Sequence, residues 1–352
     1  MMSLNEILKN AIEKNCSDVY LSVGTKIFGR INSKLEVIVD EVLTQQDTIK
    51  YANEILLNKF SELDENGDMD KSFSISGLGR FRANVFKQRN SIAMVIKIVS
   101  FNSFEYDEKF FIPSKVYEFI CNVKQGLVLV TGPVGSGKST TISSIIGKMS
   151  KDYSKHIVSV ESSIEILYKH NNSIVNQREI GNDTKTYLSG IEATFKEKPD
   201  VLIVDNIENY DILKLVLKCC EAGMLVISSI YANSVKSTID TIMEMDSKNT
   251  SYFRNNFSNV LKCIINQKII LDNENKKMCL FEIMINTPSI ANCIKENKIN
   301  HILPLMQNGL KLGMCTLDMS LVEAYKMCKI SKSTFLQNIS NRELATKIIL
   351  NY

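Results

Sequence analysis

Apolar and polar positions in the first hundred residues follow helical spacing in some segments and strand-like alternation in others. Ser3-Leu4-Asn5-Glu6 has the form of a capping box before apolar residues at helical intervals, which predicts a helix over about 4–14. A second helical pattern predicts a helix over about 44–63, and the acidic, glycine-containing segment 64–68 predicts a polar loop. The β-type runs predict strands at 19–23, 26–31, 35–39, 79–86 and 92–99, the last two joined by a turn around 87–90.

Beyond residue 113, strand-like and helix-like segments alternate. The pattern predicts strands at 127–131, 157–161, 201–205 and 225–230, and helices near 140–149, 184–196 and 210–222. This alternation is typical of a parallel sheet covered by helices. After residue 246 the pattern changes to a helix, a hairpin around 271–276 and short helices.

The predicted fold class is therefore α/β, with a small α+β domain in front of a nucleotide-binding domain. The first domain covers 1–100, and a segment without a clear period, 101–113, is the predicted linker. The second domain covers 114–352, and its late part, about 288–352, is predicted to be helical.

One glycine-rich stretch carries a specific chemical pattern. It has the Gly-x-x-x-x-Gly-Lys-Ser spacing of a phosphate-binding loop, or P-loop, between a strand-like run and a helix-compatible segment. In such a loop the backbone N–H groups and the positive end of the helix bind a polyphosphate. The predicted nucleotide-binding residues are Gly132, Pro133, Val134, Gly135, Ser136, Gly137, Lys138, Ser139 and Thr140.

Individual side chains near this loop have predicted roles with ATP and Mg²⁺. Lys138 would reach the β- and γ-phosphates, and the Ser139 hydroxyl would bind Mg²⁺. A P-loop enzyme also needs a metal-holding acid after a nearby strand, and Asp205 follows the apolar run 201–204. Asp205 is therefore a predicted Mg²⁺ ligand, and its alternative is an ordinary turn residue after a buried strand.

Two glutamates are candidates for orienting or deprotonating the attacking water. Glu161 and Glu165 lie at the carboxyl end of the predicted strand 157–161, the edge where open parallel sheets bind ligands. Either carboxylate could face the γ-phosphate, and both could equally be solvated loop residues.

The arginines are few and concentrated. Three of the seven, Arg80, Arg82 and Arg89, fall within ten residues on or beside a predicted hairpin. Arg80 and Arg82 would face one side of a strand, from which a neighbouring subunit could present them to the transferred phosphoryl group. The alternative is a solvated or salt-bridged basic face.

Composition argues against several other classes of protein. Hydrophobic residues make up 44% and charged residues 23% of the 352, as in ordinary globular proteins, and a net charge of +3 gives no argument for nucleic acid. No apolar run approaches the ~20 residues of a membrane span, and the first residues do not resemble a signal peptide. The nine scattered cysteines form no Cys-x-x-Cys pair, which favours reduced thiols in a cytoplasmic protein.

Motifs outside the P-loop give the sequence a resemblance to the type II/IV secretion ATPase family, and within it to the PilT retraction motors of type IV pili. The motifs are Ser-Asp-Val-Tyr-Leu-Ser at 17–22, Gly-Arg-Phe-Arg-Ala-Asn-Val-Phe at 79–86, Asn-Gln-Arg-Glu at 176–179, Phe-Glu-Ile-Met at 281–284 and Gly-Met-Cys-Thr-Leu-Asp-Met-Ser-Leu at 313–321. This resemblance runs nearly end to end.

The resemblance implies a PAS-like N-terminal domain, a RecA-like ATPase domain and a homohexameric ring. ATP would lie between subunits, Glu165 would act on the water, and Arg80, Arg82 and Arg89 would act across the interface. The ring would work in the cytoplasm, peripherally associated with the inner face of the membrane, where it would turn a membrane-embedded platform protein. The absence of a four-cysteine zinc motif favours retraction over extension.

Several positions depart from the family pattern. Asn206 replaces the Walker B glutamate, Met224 and Tyr231 replace the two His-box histidines, and Ala291 replaces the first arginine of a C-terminal helix. Two hypotheses follow. The chain is either a retraction ATPase with weakened hydrolysis, or a degenerate paralogue that binds ATP with little turnover and serves as a regulatory or structural subunit, alone or in a mixed ring.

Overall fold

A computed structural model describes residues 2–31, 34–57, 60–99, 112–246 and 250–351, and it divides the chain into two compact units. The first unit contains the described residues up to 99 together with 163–167, and the second contains 112–162 and the described residues from 168 onward. Of the predicted linker 101–113, residues 101–111 lie outside the described residues. The predicted domain boundaries stay a prediction.

The first unit is an antiparallel sheet whose described strands follow the order β3-β2-β1-β6-β5-β4, with helices packed against it. Its helices are α1 (Leu4–Glu13), α2 (Gln45–Leu56) and α3 (Phe60–Asn66), and its strands are β1 (Asp18–Leu21), β2 (Lys26–Ile31), β3 (Lys34–Val42), β4 (Asp68–Ile75), β5 (Gly79–Gln88) and β6 (Ser91–Val99).

The local chemistry of this unit explains its elements. Ser3 and Glu6 form the predicted capping box at α1, and Thr44 and Asp47 form a second one at α2. The predicted hairpin is confirmed, because β5 and β6 are joined by a two-residue turn with Arg89 at φ 44° and Asn90 at φ 60°. Two successive positive φ angles match the twist of the flanking strands.

The prediction of one helix over 44–63 is wrong. α2 ends at Leu56, because Leu57 adopts a left-handed conformation with φ 48° and ψ 55° that stops the helix. A separate helix, α3, then continues to Asn66, so the predicted loop 64–68 is mostly helical. The next strand, β4, has no predicted counterpart, because its sequence is polar and it forms the edge of the sheet.

The second unit is an α/β layer structure whose described strands follow the order β13-β12-β7-β11-β10-β8-β9. Its strands are β7 (Gly126–Thr131), β8 (His156–Glu161), β9 (Ile174–Glu179), β10 (Val201–Val204), β11 (Leu225–Ile230), β12 (Leu261–Leu271) and β13 (Lys277–Ile285). Its helices are α4 (Ser114–Asn122), α5 (Lys138–Asp152), α6 (Tyr187–Glu197), α7 (Tyr210–Glu221), α8 (Val235–Met245), α9 (Ser251–Val260), α10 (Pro288–Lys295), α11 (Ile302–Gln307), α12 (Leu317–Lys326), α13 (Lys332–Asn338) and α14 (Arg342–Asn351).

The central strands β7, β10 and β11 are buried along their whole length, as expected for parallel strands covered by helices on both faces. The predicted fold class is confirmed. One detail differs, since β9 has no predicted counterpart. The predicted hairpin around 271–276 is confirmed, because β13 pairs antiparallel with β12 across that turn at the sheet edge. Within the described ranges, the helices are all too short or too polar to span a lipid bilayer.

Candidate nucleotide-binding site

The P-loop follows β7 and ends where α5 begins at Lys138. Gly132 has φ 148° in a cramped position, because a Cβ atom there would collide with the Gln267 carbonyl and with Ser136. Gly137 adopts φ 86° directly before α5, and no side chain caps the first turn of this helix. The first N–H groups of α5 are therefore available to an anion.

Lys138 is held by three neighbours. Its side chain is 9% exposed, and Nζ donates to the carbonyl oxygens of Gly132 at 3.0 Å and Pro133 at 2.9 Å. The same nitrogen lies 4.3 Å from the centre of the Tyr231 ring, within cation–π distance. Burial lowers the pKa of Lys138. A phosphate group must compete with two carbonyls and one aromatic face for this ammonium.

Strand β12 braces the loop from the side. Nε2 of the buried Gln267 donates to the Ser136 carbonyl. Its neighbour Asn266 donates from Nδ2 to Thr131 Oγ1 and to the Ala232 carbonyl, each at 2.9 Å. Sequence reasoning missed both residues, because only the fold brings β12 beside β7.

Asp205 follows β10, two strands from β7 in the sheet, so its backbone lies roughly 10 Å from the strand that leads into the P-loop. Its Oδ2 accepts hydrogen bonds from Ser162, from the backbone N–H at 2.8 Å and from Oγ at 2.7 Å. Its Oδ1 accepts from the Tyr187 hydroxyl, and burial together with this carboxylate raises the pKa of Tyr187. Asp205 thus ties the end of β10 to β8 and α6.

The P-loop and the end of β10 each contain a side-chain oxygen of a kind that can bind Mg²⁺. Ser139 is exposed at the start of α5, and Asn206 Oδ1 is buried without a hydrogen-bond partner among the described residues. Mg²⁺ prefers oxygen ligands and keeps several waters, so a hydroxyl and an amide oxygen suit it. The carboxylate of Asp205 already receives protein hydrogen bonds, and its predicted role as a Mg²⁺ ligand stays a prediction.

Glu161 is a buried carboxylate at this edge of the sheet, next to the buried Glu179 of β9. It accepts hydrogen bonds from Ser159 Oγ and from Gln177 Nε2, the latter at 3.1 Å. Burial, reinforced by the charges of Asp205 and Glu179, raises the pKa of Glu161 to about 7. Such a group can hold or release a proton near neutral pH.

The other predicted catalytic residues belong to the first unit. Glu165 lies in the segment 163–167 and pairs with Lys97, with 3.2 Å between Oε1 and Nζ. Arg80 and Arg82 point to the half-exposed face of β5, opposite the buried Phe81, and Arg82 pairs with Asp70 at 2.9 Å. Their roles in catalysis stay predictions, as does that of Arg89, which lies in the β5–β6 turn.

The two positions that replace the family histidines have different environments. Met224 is buried and its sulfur lies 3.9 Å from Thr194 Oγ1, as in an ordinary core contact. Tyr231 is 55% exposed and lies against Lys138. Its place directly after a central strand of a P-loop domain agrees with the family pattern that singled it out in the sequence.

Comparison with known proteins agrees with this geometry, which defines a P-loop nucleotide-binding enzyme. The profile of the family described as "Type II/IV secretion system protein" matches residues 1–309. The chain is 30% identical over 322 residues to the type IV pilus retraction ATPase PilT of Pseudomonas aeruginosa, covering 91% of this chain and 93% of that protein. It is 27% identical over 336 residues to the type IV pilus ATPase PilU of the same organism, covering 94% and 87%.

The chain therefore belongs to the type II/IV secretion system protein family and is an ATPase of that family. A crystal structure of the pilus retraction motor PilT with bound ADP superposes with a TM-score of 0.88 at 34% identity, covering 99% of this chain and 100% of that one. The predicted resemblance to PilT is confirmed.

Proposed function

We propose that this chain is an ATP-driven motor subunit of the type IV pilus machinery and drives pilus retraction. The observation that carries the proposal is a P-loop with a buried Lys138 in a chain similar over nearly its whole length to a retraction ATPase. The related motor was crystallised with ADP, which supports ATP and ADP as the nucleotides bound here.

In this proposal the P-loop binds the nucleotide and Lys138 contacts its β- and γ-phosphates. Ser139 and the oxygens of Asn206 or Asp205 hold Mg²⁺, directly or through water. When bound, Mg²⁺ neutralises charge on the phosphate oxygens. Because an amide carries no charge, Asn206 holds the ion more weakly than a carboxylate would.

Glu165 is the proposed base or orienting group for the attacking water. Glu161 lies at the same sheet edge as Asp205, and its pKa of about 7 allows it to shift a proton during the reaction. Arg80, Arg82 and Arg89 are proposed to stabilise the transferred phosphoryl group from a neighbouring subunit. Such arginines typically contribute ~10³–10⁵ to the rate.

The assembly proposed is a homohexameric ring, with a membrane-embedded pilus platform protein as its partner. The ring would associate peripherally with the inner face of the cytoplasmic membrane. A mixed ring that includes a second subunit similar to PilT or PilU is compatible with the same scheme.

Phosphate release from Mg²⁺-ATP by the purified chain tests the enzymatic part. We expect Lys138→Ala and Glu165→Ala each to lower kcat by roughly 10²-fold or more, because each removes a group that acts on the transition state. Glu208→Ala, which removes an exposed carboxylate close to Asn206 in sequence, is the matched control and should keep the wild-type rate.

Equal phosphate release from all four proteins would contradict the proposal. Tight ATP binding with no turnover in the wild type would instead support the degenerate-paralogue hypothesis. The relatives do not favour that hypothesis, since the retraction motor and PilU are both described as ATPases.

A further inference from the structure

A cavity of about 570 Å³ lies within the second unit, bordered by the start of α8, by α11 and by the start of α12. This volume is within the range of small-molecule pockets. The lining includes no residue of the P-loop and none of the residues at the ends of β8 and β10. The cavity is therefore distinct in composition from the nucleotide site.

Glu282 is the buried charge in this cavity. It lies on β13 and is 6% exposed, and its Oε2 accepts a hydrogen bond from the Val235 backbone N–H at 2.8 Å. Its Oε1 has no hydrogen-bond partner among the described residues. None of the described lysine, arginine or histidine side chains forms an ion pair with Glu282. A largely buried carboxylate with an oxygen that receives no protein hydrogen bond is stabilised when a positive group or a donor approaches it.

A second carboxylate reinforces the negative character of the cavity. Asp318 at the start of α12 accepts hydrogen bonds from the backbone N–H groups of Ser340 at 2.9 Å and Asn341 at 3.0 Å, which hold it in place. Burial, with the charge of Asp318, raises the pKa of Glu282. Lys236 is exposed and is the cation that borders the cavity.

The rest of the lining combines uncharged polar residues with an apolar part. Leu303, Met306 and Leu317 belong to the apolar part, and Leu303 is 49% exposed although it is a large hydrophobic residue. A ligand that suits both parts needs a positive end for the carboxylates and an aliphatic body for the leucines. Phosphates and carboxylates do not meet this requirement, because Glu282 and Asp318 would repel them.

We propose that this cavity binds a small organic cation, an ammonium or guanidinium group on an apolar stem, with the cationic end on Glu282. The proposal does not depend on the function proposed above. The binding step is non-covalent: the ammonium donates to Oε1 while the stem covers Leu303 and Met306.

Calorimetric titration of the full chain with hexylamine tests this proposal, with 1-hexanol as the neutral analogue of equal length. We expect saturable binding of hexylamine and binding of 1-hexanol at least roughly tenfold weaker, since a charge-assisted hydrogen bond is lost. Glu282→Gln keeps an acceptor for the Val235 N–H but removes the charge, and it should weaken hexylamine by roughly tenfold or more while leaving 1-hexanol unchanged.

Two further variants keep the test decisive. Glu274→Gln removes an exposed carboxylate in the β12–β13 turn and should leave hexylamine affinity unchanged. Leu303→Asn, at a half-exposed position, should weaken both compounds because it removes contact with the stem. Equal affinity for the amine and the alcohol, undiminished amine binding by Glu282→Gln, or no saturable amine binding at all would each overturn the proposal.

Discussion

The contact between Tyr231 and Lys138 sets the availability of the key cation at the nucleotide site. Lys138 Nζ is bound by two carbonyls and lies 4.3 Å from the centre of the Tyr231 ring. Each contact stabilises the ammonium where it lies. Phosphate oxygens must therefore compete with these contacts to bind it. A tyrosine at this position therefore acts on the affinity of the site as well as on its shape.

We expect Tyr231→Ala to bind ATP more tightly than the wild type. Loss of a partly exposed cation–π contact releases about 0.5–1 kcal/mol, which corresponds to roughly two- to fivefold in Kd. Fluorescent-nucleotide titration measures this change. Tyr231→Phe keeps the aromatic face and should match the wild type. Weaker ATP binding by Tyr231→Ala would show that the ring contacts the nucleotide itself.

Glu161 makes stability depend on pH. Its folded-state pKa of about 7 lies above the ~4.3 of an unfolded glutamate, so the folded protein holds a proton that the unfolded chain releases. This contribution to stability is fully present below the unfolded pKa and is lost as pH rises through about 7.

Glu161→Gln should remove this pH dependence. Relative to the variant, the wild type should lose up to about 3 kcal/mol of unfolding free energy between about pH 4 and about pH 8. Urea unfolding of both proteins at about pH 5, pH 6, pH 7 and pH 8 measures the difference. Two curves that stay parallel over this range would show that Glu161 is ionised throughout.

At the scale of elements, the close packing of α6 on β8 positions the hydrogen bond between Tyr187 and Asp205. Gly190 permits this approach, because a Cβ there would lie 2.8 Å from Val160 Cγ1 and 3.1 Å from Thr184 Cγ2. Tyr187 lies one turn earlier on the same helix and reaches Asp205. Gly190 therefore affects the candidate nucleotide site indirectly, because it lets α6 lie close enough for Tyr187 to reach Asp205.

We expect Gly190→Ala to destabilise the protein by about 1–2 kcal/mol. Overpacking against Val160 outweighs the gain in helix propensity, which is about 1 kcal/mol. Chemical denaturation measures the change. Glu192→Ala, on the exposed side of the same helix, should stay within about 0.5 kcal/mol of the wild type. A stabilised Gly190→Ala protein would mean that α6 moves away at no cost.

Elements whose cause is local were predictable from the sequence. The α1 helix follows from Ser3 and Glu6, and the P-loop follows from a fixed spacing between a strand and a helix. Features set by distant contacts were not predictable. Leu57 ends α2 in a left-handed conformation that leucine rarely adopts, and nothing in the local sequence indicates it.

The candidate site also contains some residues that the local sequence identifies and others that only distant contacts bring together. The loop residues were identified from their spacing, whereas the bonds of Gln267 to Ser136 and of Tyr187 to Asp205 join positions far apart in the chain. Edge strands β4 and β9 escaped prediction because polar residues occupy most of their positions. Their pairing depends on neighbours rather than on their own hydrophobic pattern.

At the scale of the whole molecule, the proposed function requires one subunit to complete the site of another. If Arg82 acts across the interface, Lys138→Ala and Arg82→Ala subunits should each be inactive alone and should complement each other when mixed. With random assembly, about a quarter of sites would combine an intact Lys138 with an intact neighbouring arginine.

A steady-state assay of one-to-one mixtures, after dissociation and reassembly, measures this recovery. We expect up to about a quarter of the wild-type rate. Lys138→Ala mixed with itself is the matched control and should stay inactive. No recovery in a mixture that forms rings would place Arg82 and Lys138 in one and the same subunit's site.

The position of Tyr231 beside Lys138 also suits an intrinsic fluorescent reporter of nucleotide binding. The chain contains no tryptophan, so Tyr231→Trp would introduce a single indole directly at the P-loop lysine. Indole is the aromatic group that binds cations best, so the native contact would be kept. Its emission would change whenever Lys138 moves from the ring to a phosphate, and it would report each nucleotide exchange in real time without an added dye.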